Sequence, residues 1–404
     1  MAPVGSLESL AAALKAGADA VYFGIEGLNM RSRSSANFTA DDMAGIAALC
    51  SSKGVKTYLT VNTVIYDSDM KLLDTILQRA SEAGISAIIA SDIAAIQCAR
   101  SHGLEVHIST QCNISNYEAV KFYAGYADVM VLARELNLDQ VGEIHRRIIR
   151  DNLCGPNGAP VRLEMFCHGA LCMAFSGKCY LSLHQMNSSA NRGACNQICR
   201  RGYIATDRET GEAIEVDNQY LMSPKDLKTI HFLNKMVDAG VRVFKIEGRA
   251  RGPEYVAEVV AAYSEALQAI CDGLYTDDRI TDWDARLSRV FNRGFWDGYY
   301  LGQKLGEWSS KYGSSATRKK VYTAKALRYF SKLGVGEFKM ESGELKPGDE
   351  VVLCGPTTGA QIFTIEQLRL EVDPVEKVRK GQIFSTPVPV KCRPSDRLYL
   401  WKKV

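Results

Sequence analysis

Short apolar runs recur along the first 275 residues of this 404-residue chain and alternate with amphipathic stretches. Such runs predict β-strands, and the stretches between them, with apolar residues at helical spacing, predict helices. Ser6, Thr39 with Asp42, and Asn137 with Gln140 are typical of helix starts. We predict eight strands, at Met1–Val4, Ala20–Gly24, Lys56–Asn62, Ala87–Ser91, Glu105–Gln111, Val129–Glu135, Leu163–His168 and Arg242–Glu247.

Eight alternating strand and helix units indicate an α/β fold, and we predict a (β/α)8 barrel of the TIM type over residues 1–275. An open dinucleotide-binding sheet is disfavoured, because no Gly-x-Gly-x-x-Gly turn follows an early strand. Residues 276–315 predict a helical and aromatic connector. From residue 316 to residue 404, short alternating strands and turn signals predict a small antiparallel β-barrel.

Polar residues occupy alternate positions near the carboxyl ends of several predicted strands. Spacing of two places each set on one side of its strand, so the sets should converge in the mouth of the barrel. Buried polar groups gathered at one end favour a shared ligand site. The residues are Thr60, Asn62, His107, Ser109, Gln111, Glu164, His168, Lys245 and Glu247.

Within this set, Glu164, His168 and Glu247 are candidate acid or base catalysts. Alternatively, these residues have structural roles: the histidines form hydrogen bonds, and the glutamates form ion pairs with Lys245 and Arg249. Guanidinium groups near strand ends suit a carboxylate or phosphate ligand, with rim salt bridges as the competing interpretation. These arginines are Arg31, Arg33, Arg134 and Arg249.

Four cysteines, Cys172, Cys179, Cys195 and Cys199, fall within 28 residues, in a polar segment of residues 169–223. This segment follows strand seven as an insertion, with the next helix predicted near Pro224. Thiolates are the usual ligands of iron–sulfur clusters and structural zinc. The wide first spacing favours a four-iron cluster. Zinc, and unligated or disulfide-forming cysteines, are the alternatives.

Neither a signal peptide nor a membrane-spanning run is apparent, so we expect a cytoplasmic protein with no membrane association. In that compartment the twelve cysteines should be metal ligands or small apolar residues. The net charge of +3 is unevenly distributed, because residues 316–404 hold 17 Lys and Arg against 10 Asp and Glu, a balance of +7. This asymmetry indicates an anionic partner, or else a solvated basic surface.

Four motifs make the chain similar to the collagenase-like peptidase family over nearly its whole length. Its resemblance is greatest to the prephenate-dependent tRNA uridine hydroxylases of that family. The motifs are Glu164-Met-Phe-Cys-His-Gly-Ala-Leu-Cys, continuing to Cys179; Ser189-Ala-Asn-Arg-Gly-Ala-Cys-Asn-Gln-Ile-Cys-Arg-Arg, with Tyr220-Leu-Met-Ser-Pro-Lys-Asp-Leu after it; and Phe244-Lys-Ile-Glu-Gly-Arg-Ala-Arg.

This resemblance implies hydroxylation of carbon 5 of the wobble uridine of tRNA, with prephenate as the oxygen donor and a four-iron, four-sulfur cluster on the four cysteines. It also implies that the carboxy-terminal part resembles the β-barrels of translation factors. Prephenate has two carboxylates, for which Arg134 and Arg249 are the leading ligands. The uridine or donor pocket would be shaped by Asn62, Gln111, Glu164, His168, Lys245 and Glu247.

Two other functions stay open. A peptidase is one, although no His-Glu-x-x-His or Gly-x-Ser-x-Gly motif is present and no cysteine is clearly paired with an activating histidine. A noncatalytic RNA-binding iron–sulfur protein is the other.

Overall fold

The computed structural model describes residues 1–32, 37–175, 177–216, 223–309 and 313–404. Up to the cysteine-rich segment, strands and helices alternate. The elements are β1 (Ala2–Pro3), α1 (Leu7–Lys15), β2 (Ala20–Phe23), α2 (Asp42–Ser51), β3 (Lys56–Val61), α3 (Met70–Glu82), β4 (Ala87–Ala90), α4 (Ile93–Ser101), β5 (Glu105–Ile108), α5 (Tyr117–Ala124), β6 (Val129–Val131), α6 (Leu138–Arg150) and β7 (Arg162–Gly169).

The cysteine-rich segment and the end of the first part follow. Short 3₁₀ turns lie at Asp67–Asp69, Thr110–Cys112, Ala190–Arg192 and Ile198–Arg200. The further elements are α7 (Leu181–Met186), β8 (Tyr203–Thr206), β9 (Ala213–Val216), β10 (Asp226–Lys228), α8 (Leu233–Asp238), β11 (Val241–Ile246), α9 (Pro253–Cys271), α10 (Asp277–Arg289) and β12 (Phe295–Trp296).

All eight predicted strands lie parallel in the central sheet, to which β10 and β12 also belong. β1 to β7 lie side by side in chain order, and β11 pairs with β7. Their apolar residues are buried because helices cover the sheet. Two backbone hydrogen bonds link the first and last of these strands: the Met1 ammonium donates to Phe244 O at 2.8 Å, and Ile246 N donates to Met1 O at 3.2 Å.

The predicted helix start near Pro224 is wrong. β10 comes first, antiparallel to the end of β7 and parallel to β12, and α8 begins only at Leu233. Backbone pairing on both sides holds Leu227 in this strand, opposite Gly169 and Trp296. Pairing of this kind depends on distant partners, so the local pattern could not reveal it.

The carboxy-terminal part is a separate antiparallel sheet of eight strands in the order β17-β16-β22-β13-β14-β21-β18-β19, with β15 and β20 forming a two-stranded pair. Its strands are β13 (Arg318–Phe330), β14 (Val335–Met340), β15 (Glu344–Leu345), β16 (Glu350–Gly355), β17 (Gly359–Thr364), β18 (Leu368–Leu370), β19 (Asp373–Val375), β20 (Val378–Arg379), β21 (Ile383–Pro387) and β22 (Arg397–Lys403).

This sheet packs directly against α1 and α9 of the first part. Val352 and Trp401 belong to the same buried cluster as the central sheet. Gly359 has φ +71°, and a Cβ there would lie 2.8 Å from the backbone nitrogen of Ala12, so only glycine permits this approach. One side of the carboxy-terminal sheet therefore extends the core of the first part, while a second buried cluster, which includes Phe338 and Phe384, forms the sheet's own core. In the described residues, no helix is long and apolar enough to cross a membrane.

Candidate functional site

A cavity of about 520 Å³ opens at the carboxyl ends of the parallel strands. Both the strand ends and the cysteine-rich segment contribute to its wall, which is where ligands bind in parallel α/β barrels. Twelve of the sequence-predicted site residues line it: Thr60, Asn62, Ser109, Gln111, Arg134, Cys172, Cys179, Cys195, Cys199, Lys245, Glu247 and Arg249. Arg31 also lines it, whereas Arg33 lies outside the described residues.

The amide side chains on the wall are held in fixed orientations. Gln111 Nε2 donates to the backbone oxygen of Asn62 at 2.6 Å, and Gln111 Oε1 accepts from Ser109 at 2.9 Å. Asn62 Oδ1 accepts from Met30 N at 3.2 Å. These bonds tie the loops after β2, β3 and β5 together, and within the described part of the chain no hydrogen bond engages the Asn62 amide NH₂.

The four cysteines approach one another around this cavity. Cys172 is exposed and the other three are partly buried. Burial raises the pKa of the Cys199 thiol, Arg200 lowers it, and Cys172, Cys195 and Cys179 raise it through their charge. Leu181 N lies 3.4 Å from Cys179 Sγ and donates to it, as backbone N–H groups do to thiolates that bind metal.

The spacing of these sulfurs bears on which metal group they fit. Among the described residues, one group of three His, Cys, Asp or Glu side chains has all its ligand atoms within 4.8 Å of one another. This group is Asp74, Cys98 and His102, and it includes no cysteine of the quartet. The quartet is therefore more widely spaced than the sulfurs around one tetrahedral zinc, which lie about 3.8 Å apart because Zn–S is about 2.3 Å. Wider spacing fits a cluster, in which each thiolate binds a different iron.

Among the described lining residues, Glu247 is the one carboxylate, and the charges of three arginines act on it. Arg31 Nη2 lies 3.2 Å from Glu247 Oε1. Arg249 donates to Thr60 Oγ1 at 2.8 Å and to Asn29 Oδ1 at 3.2 Å, and burial lowers its pKa to about 10. Burial would raise the pKa of Glu247, but Arg31, Arg134 and Arg249 lower it. Glu247 is thus held as an anion.

Arg134 is oriented towards the cavity by packing. Its guanidinium lies 3.9 Å from the centroid of the Phe166 ring, and Nη1 donates to Ala170 O at 3.1 Å. The buried Nε has no hydrogen-bond partner within the described part of the chain. A buried donor without an acceptor is costly, so an anionic ligand at this wall would satisfy it.

A second group of arginines also lines the cavity, and the sequence did not predict it. The group consists of Arg200, Arg251 and Arg293. Arg251 and Arg293 lie over Phe291, at 3.5 Å and 5.0 Å from the ring centroid. Burial and the nearby Arg200 and Arg251 together lower the pKa of Arg293 to about 10, although Asp226 raises it. Two of the three lie in the family motifs, which was the available signal.

Glu164 lies beneath the cavity and is fully buried. Its Oε1 accepts from Lys245 Nζ at 2.8 Å, and its Oε2 lies 3.3 Å from His107 Nδ1. Burial would raise the pKa of Glu164, but Lys245 and His107 lower it to about 2. Glu164 is thus an anion that holds Lys245, whose other face lines the cavity.

His168 is outside the cavity. Its ring is buried among Tyr255, Tyr263 and Phe295, and Nδ1 lies 3.3 Å from Tyr263 Oη. Burial lowers the pKa of His168 to about 3, so the ring is neutral. The structure therefore brings Glu247 to the cavity but places Glu164 and His168 behind its wall.

The sequence of the chain is similar to that of known proteins. Residues 5–310 match the family model described as peptidase family U32. The chain belongs to this family. A Porphyromonas gingivalis protein named collagenase is 65% identical over 403 residues, covering 100% of this chain and 97% of the relative.

Other relatives carry RNA-related names. A Bacillus subtilis protein named tRNA hydroxylation protein P1 is 32% identical over 376 residues, covering 91% of this chain and 86% of that protein. An Escherichia coli protein named 23S rRNA 5-hydroxycytidine C2501 synthase is 36% identical over 258 residues, covering 63% of this chain and 37% of that protein. The names of the relatives point to enzymes, either hydroxylases or peptidases.

Proposed function

We propose that this chain is a cytoplasmic tRNA-modifying enzyme that hydroxylates carbon 5 of the wobble uridine, with prephenate as co-substrate. One observation carries the proposal. The cavity that the four cysteines line is also lined by six arginines and Lys245, against the single carboxylate of Glu247 among the described lining residues. So strong a positive charge suits a small dianion such as a dicarboxylate, whereas a peptide bond carries no charge.

The cysteine quartet suits a four-iron, four-sulfur cluster. Cys172, Cys179, Cys195 and Cys199 would hold it, since all four line one cavity at a spacing wider than zinc needs. Such a cluster, when bound, supplies a redox centre at the cavity wall. We also infer that the parallel sheet closes into a (β/α)8 barrel, supported by the hydrogen bonds between Met1 and β11.

The carboxy-terminal sheet offers a surface for RNA. Lys325 on β13 stands opposite Lys339 on β14 and opposite Arg397 on β22, so three exposed cations lie side by side across three strands. We name these residues the basic row. Like charges directly opposite one another destabilise a sheet, and neighbouring backbone phosphates would relieve this repulsion.

Charge reversal of the basic row tests this surface. The triple variant Lys325→Glu, Lys339→Glu, Arg397→Glu should bind tRNA more weakly, and the salt dependence of log K should become shallower by about 2–3, since each phosphate contact contributes about 0.9. Mobility shifts at two salt concentrations measure both. As a control, exposed Lys332, Lys380 and Lys391 are changed to Glu together. Equal weakening in both triple variants would show that total charge, rather than the basic row, determines binding.

Arg134→Lys tests the anion site. Lysine keeps the charge but loses the planar guanidinium that stacks on Phe166. We therefore expect kcat/KM for prephenate to fall about 5- to 150-fold, which corresponds to a loss of about 1–3 kcal/mol in the free energy of transition-state stabilisation. Arg147→Lys is the matched control, because Arg147 lies 4.0 Å from the Tyr117 ring centroid but outside the cavity. Unchanged prephenate kinetics in Arg134→Lys would place the anion site elsewhere.

Nucleoside analysis tests the whole proposal. Total tRNA and ribosomal RNA from a deletion strain are digested and analysed, with complementation by the wild-type chain. We expect the 5-hydroxyuridine nucleosides of tRNA to disappear and to return on complementation only when prephenate is made. An unchanged tRNA profile would contradict the proposal.

A peptidase is the second candidate, favoured by the name of the 65% identical relative. The buried histidines do not support it, because neither His107 nor His168 is among the residues that line the cavity. Cleavage of denatured collagen by purified protein, with the Cys179→Ser variant beside it, distinguishes the two activities. Collagen cleavage that increases in proportion to the amount of purified wild-type protein would support the peptidase.

A further inference from the structure

Three metal-ligating side chains meet on the outer surface of the first part, away from the cavity. Cys98 and His102 are four residues apart, at the end of α4, and therefore lie on one face of that helix. Asp74 reaches them from α3, the neighbouring helix. None of the three lines the cavity. We call them the surface trio.

The ligand atoms of the surface trio lie within 4.8 Å of one another. Asp74 Oδ1 is 2.8 Å from His102 Nε2 and 3.8 Å from Cys98 Sγ. Around a tetrahedral zinc with bonds of about 2.0–2.3 Å, neighbouring ligand atoms are about 3.3–3.7 Å apart. The surface trio therefore needs to open by about half an ångström at one contact and close slightly at another.

The donor chemistry is equally suited. One thiol, one imidazole and one carboxylate make a mixed set that zinc accepts and that calcium or magnesium, which prefer oxygen ligands, does not. Cys98 and His102 are partly buried while Asp74 is exposed. The site thus has three protein ligands on firm helical supports and an open side on which water would complete the tetrahedron.

We propose that Asp74, Cys98 and His102 form a zinc-binding site, separate from the cysteine quartet. Binding would displace the proton of the Cys98 thiol and the hydrogen bond between His102 and Asp74, with the carboxylate and thiolate then balancing the charge of the ion. The ion would join α3 to α4. The proposal does not depend on the proposed function.

Zinc binding is measured on the full-length, anaerobically purified protein. Wild type, Cys98→Ser and His102→Gln are each titrated with Zn²⁺, and bound metal is counted by elemental analysis. We expect each substitution to remove one ion per chain from the tightly held fraction, with affinity at the site falling by at least about 10- to 100-fold. Ions held by the quartet are common to all three proteins and cancel.

His231→Gln is the matched control. His231 Nε2 lies 2.9 Å from Asp297 Oδ1, so it forms the same kind of surface His–Asp pair, and it does not belong to the surface trio. This variant should keep the full zinc count. Cobalt gives a second readout, as its thiolate absorption band should appear in the wild type and His231→Gln and be diminished in Cys98→Ser. Circular dichroism confirms that each variant is folded.

Equal zinc counts and affinities in the wild type, Cys98→Ser and His102→Gln would overturn the proposal. A loss confined to a Cys179→Ser variant would likewise assign the zinc to the quartet. The outcome also matters for the cluster, because one zinc per chain would otherwise be misread as evidence that the quartet binds zinc.

Discussion

If the proposed cluster and function are right, Cys179→Ser should remove the brown colour, the iron and the hydroxylase activity together. Cys179 lines the cavity beside the other three cysteines, and its sulfur already accepts a hydrogen bond from Leu181 N. Serine is a hard oxygen ligand that iron–sulfur clusters rarely accept in place of a thiolate. We therefore expect modified tRNA to fall below detection while the protein remains folded, since the thiol is only partly buried.

Iron and sulfide analysis, the visible spectrum and tRNA nucleoside content measure this effect. Wild-type protein should hold about four irons and four sulfides per chain. Cys271→Ser is the control, because Cys271 is an exposed thiol at the end of α9 and outside the cavity. Colourless wild-type protein whose zinc persists in Cys98→Ser but is lost in Cys179→Ser would replace the cluster with a quartet-bound zinc.

The sequence revealed the sheet because its strands are short, largely buried runs in which apolar residues predominate and polar residues occupy a few positions, such as Glu164 and Lys245. All eight predicted runs are parallel strands, and the capping pair Asn137 and Gln140 forms as predicted. β10 escaped prediction because a strand of three residues has no periodicity of its own and depends on pairing with β7 and β12. In the carboxy-terminal sheet, β18, β19 and β20 have only two or three residues each, so they too depend on pairing with other strands.

Part of the site followed from the spacing of polar residues along strands. Alternation brings Asn62, Gln111, Lys245 and Glu247 to one cavity. The same alternation could not separate a wall from the layer beneath it, and Glu164 lies in that lower layer. Arg293 comes from the connector, and only the tertiary fold brings it to Arg200 and Arg251.

Glu164→Gln should be the most destabilising of the substitutions we describe. The substitution leaves Lys245 buried without its anion. It also removes the carboxylate that contacts His107, whose Nε2 has no hydrogen-bond partner within the described residues, although Glu105 Oε1 lies 3.4 Å away. Removing one partner of a buried ion pair costs about 3–5 kcal/mol. Urea unfolding should show this loss. Glu143→Gln, which breaks an exposed pair with Arg146, should cost under about 1 kcal/mol.

The pH dependence of the free energy of unfolding shows whether the charge of Glu164 causes this loss of stability. Glu164 has a folded pKa of about 2, below its unfolded value of about 4.3. Its contribution to the free energy of unfolding is thus complete above the unfolded pKa and is lost as the pH falls towards 2. Wild type and Glu164→Gln should therefore converge in stability on acidification through this range. If the buried charge is responsible, adding Lys245→Met to Glu164→Gln should restore part of the stability at neutral pH. A pH-independent difference, with no recovery in the double variant, would mean that shape rather than charge makes Glu164 necessary.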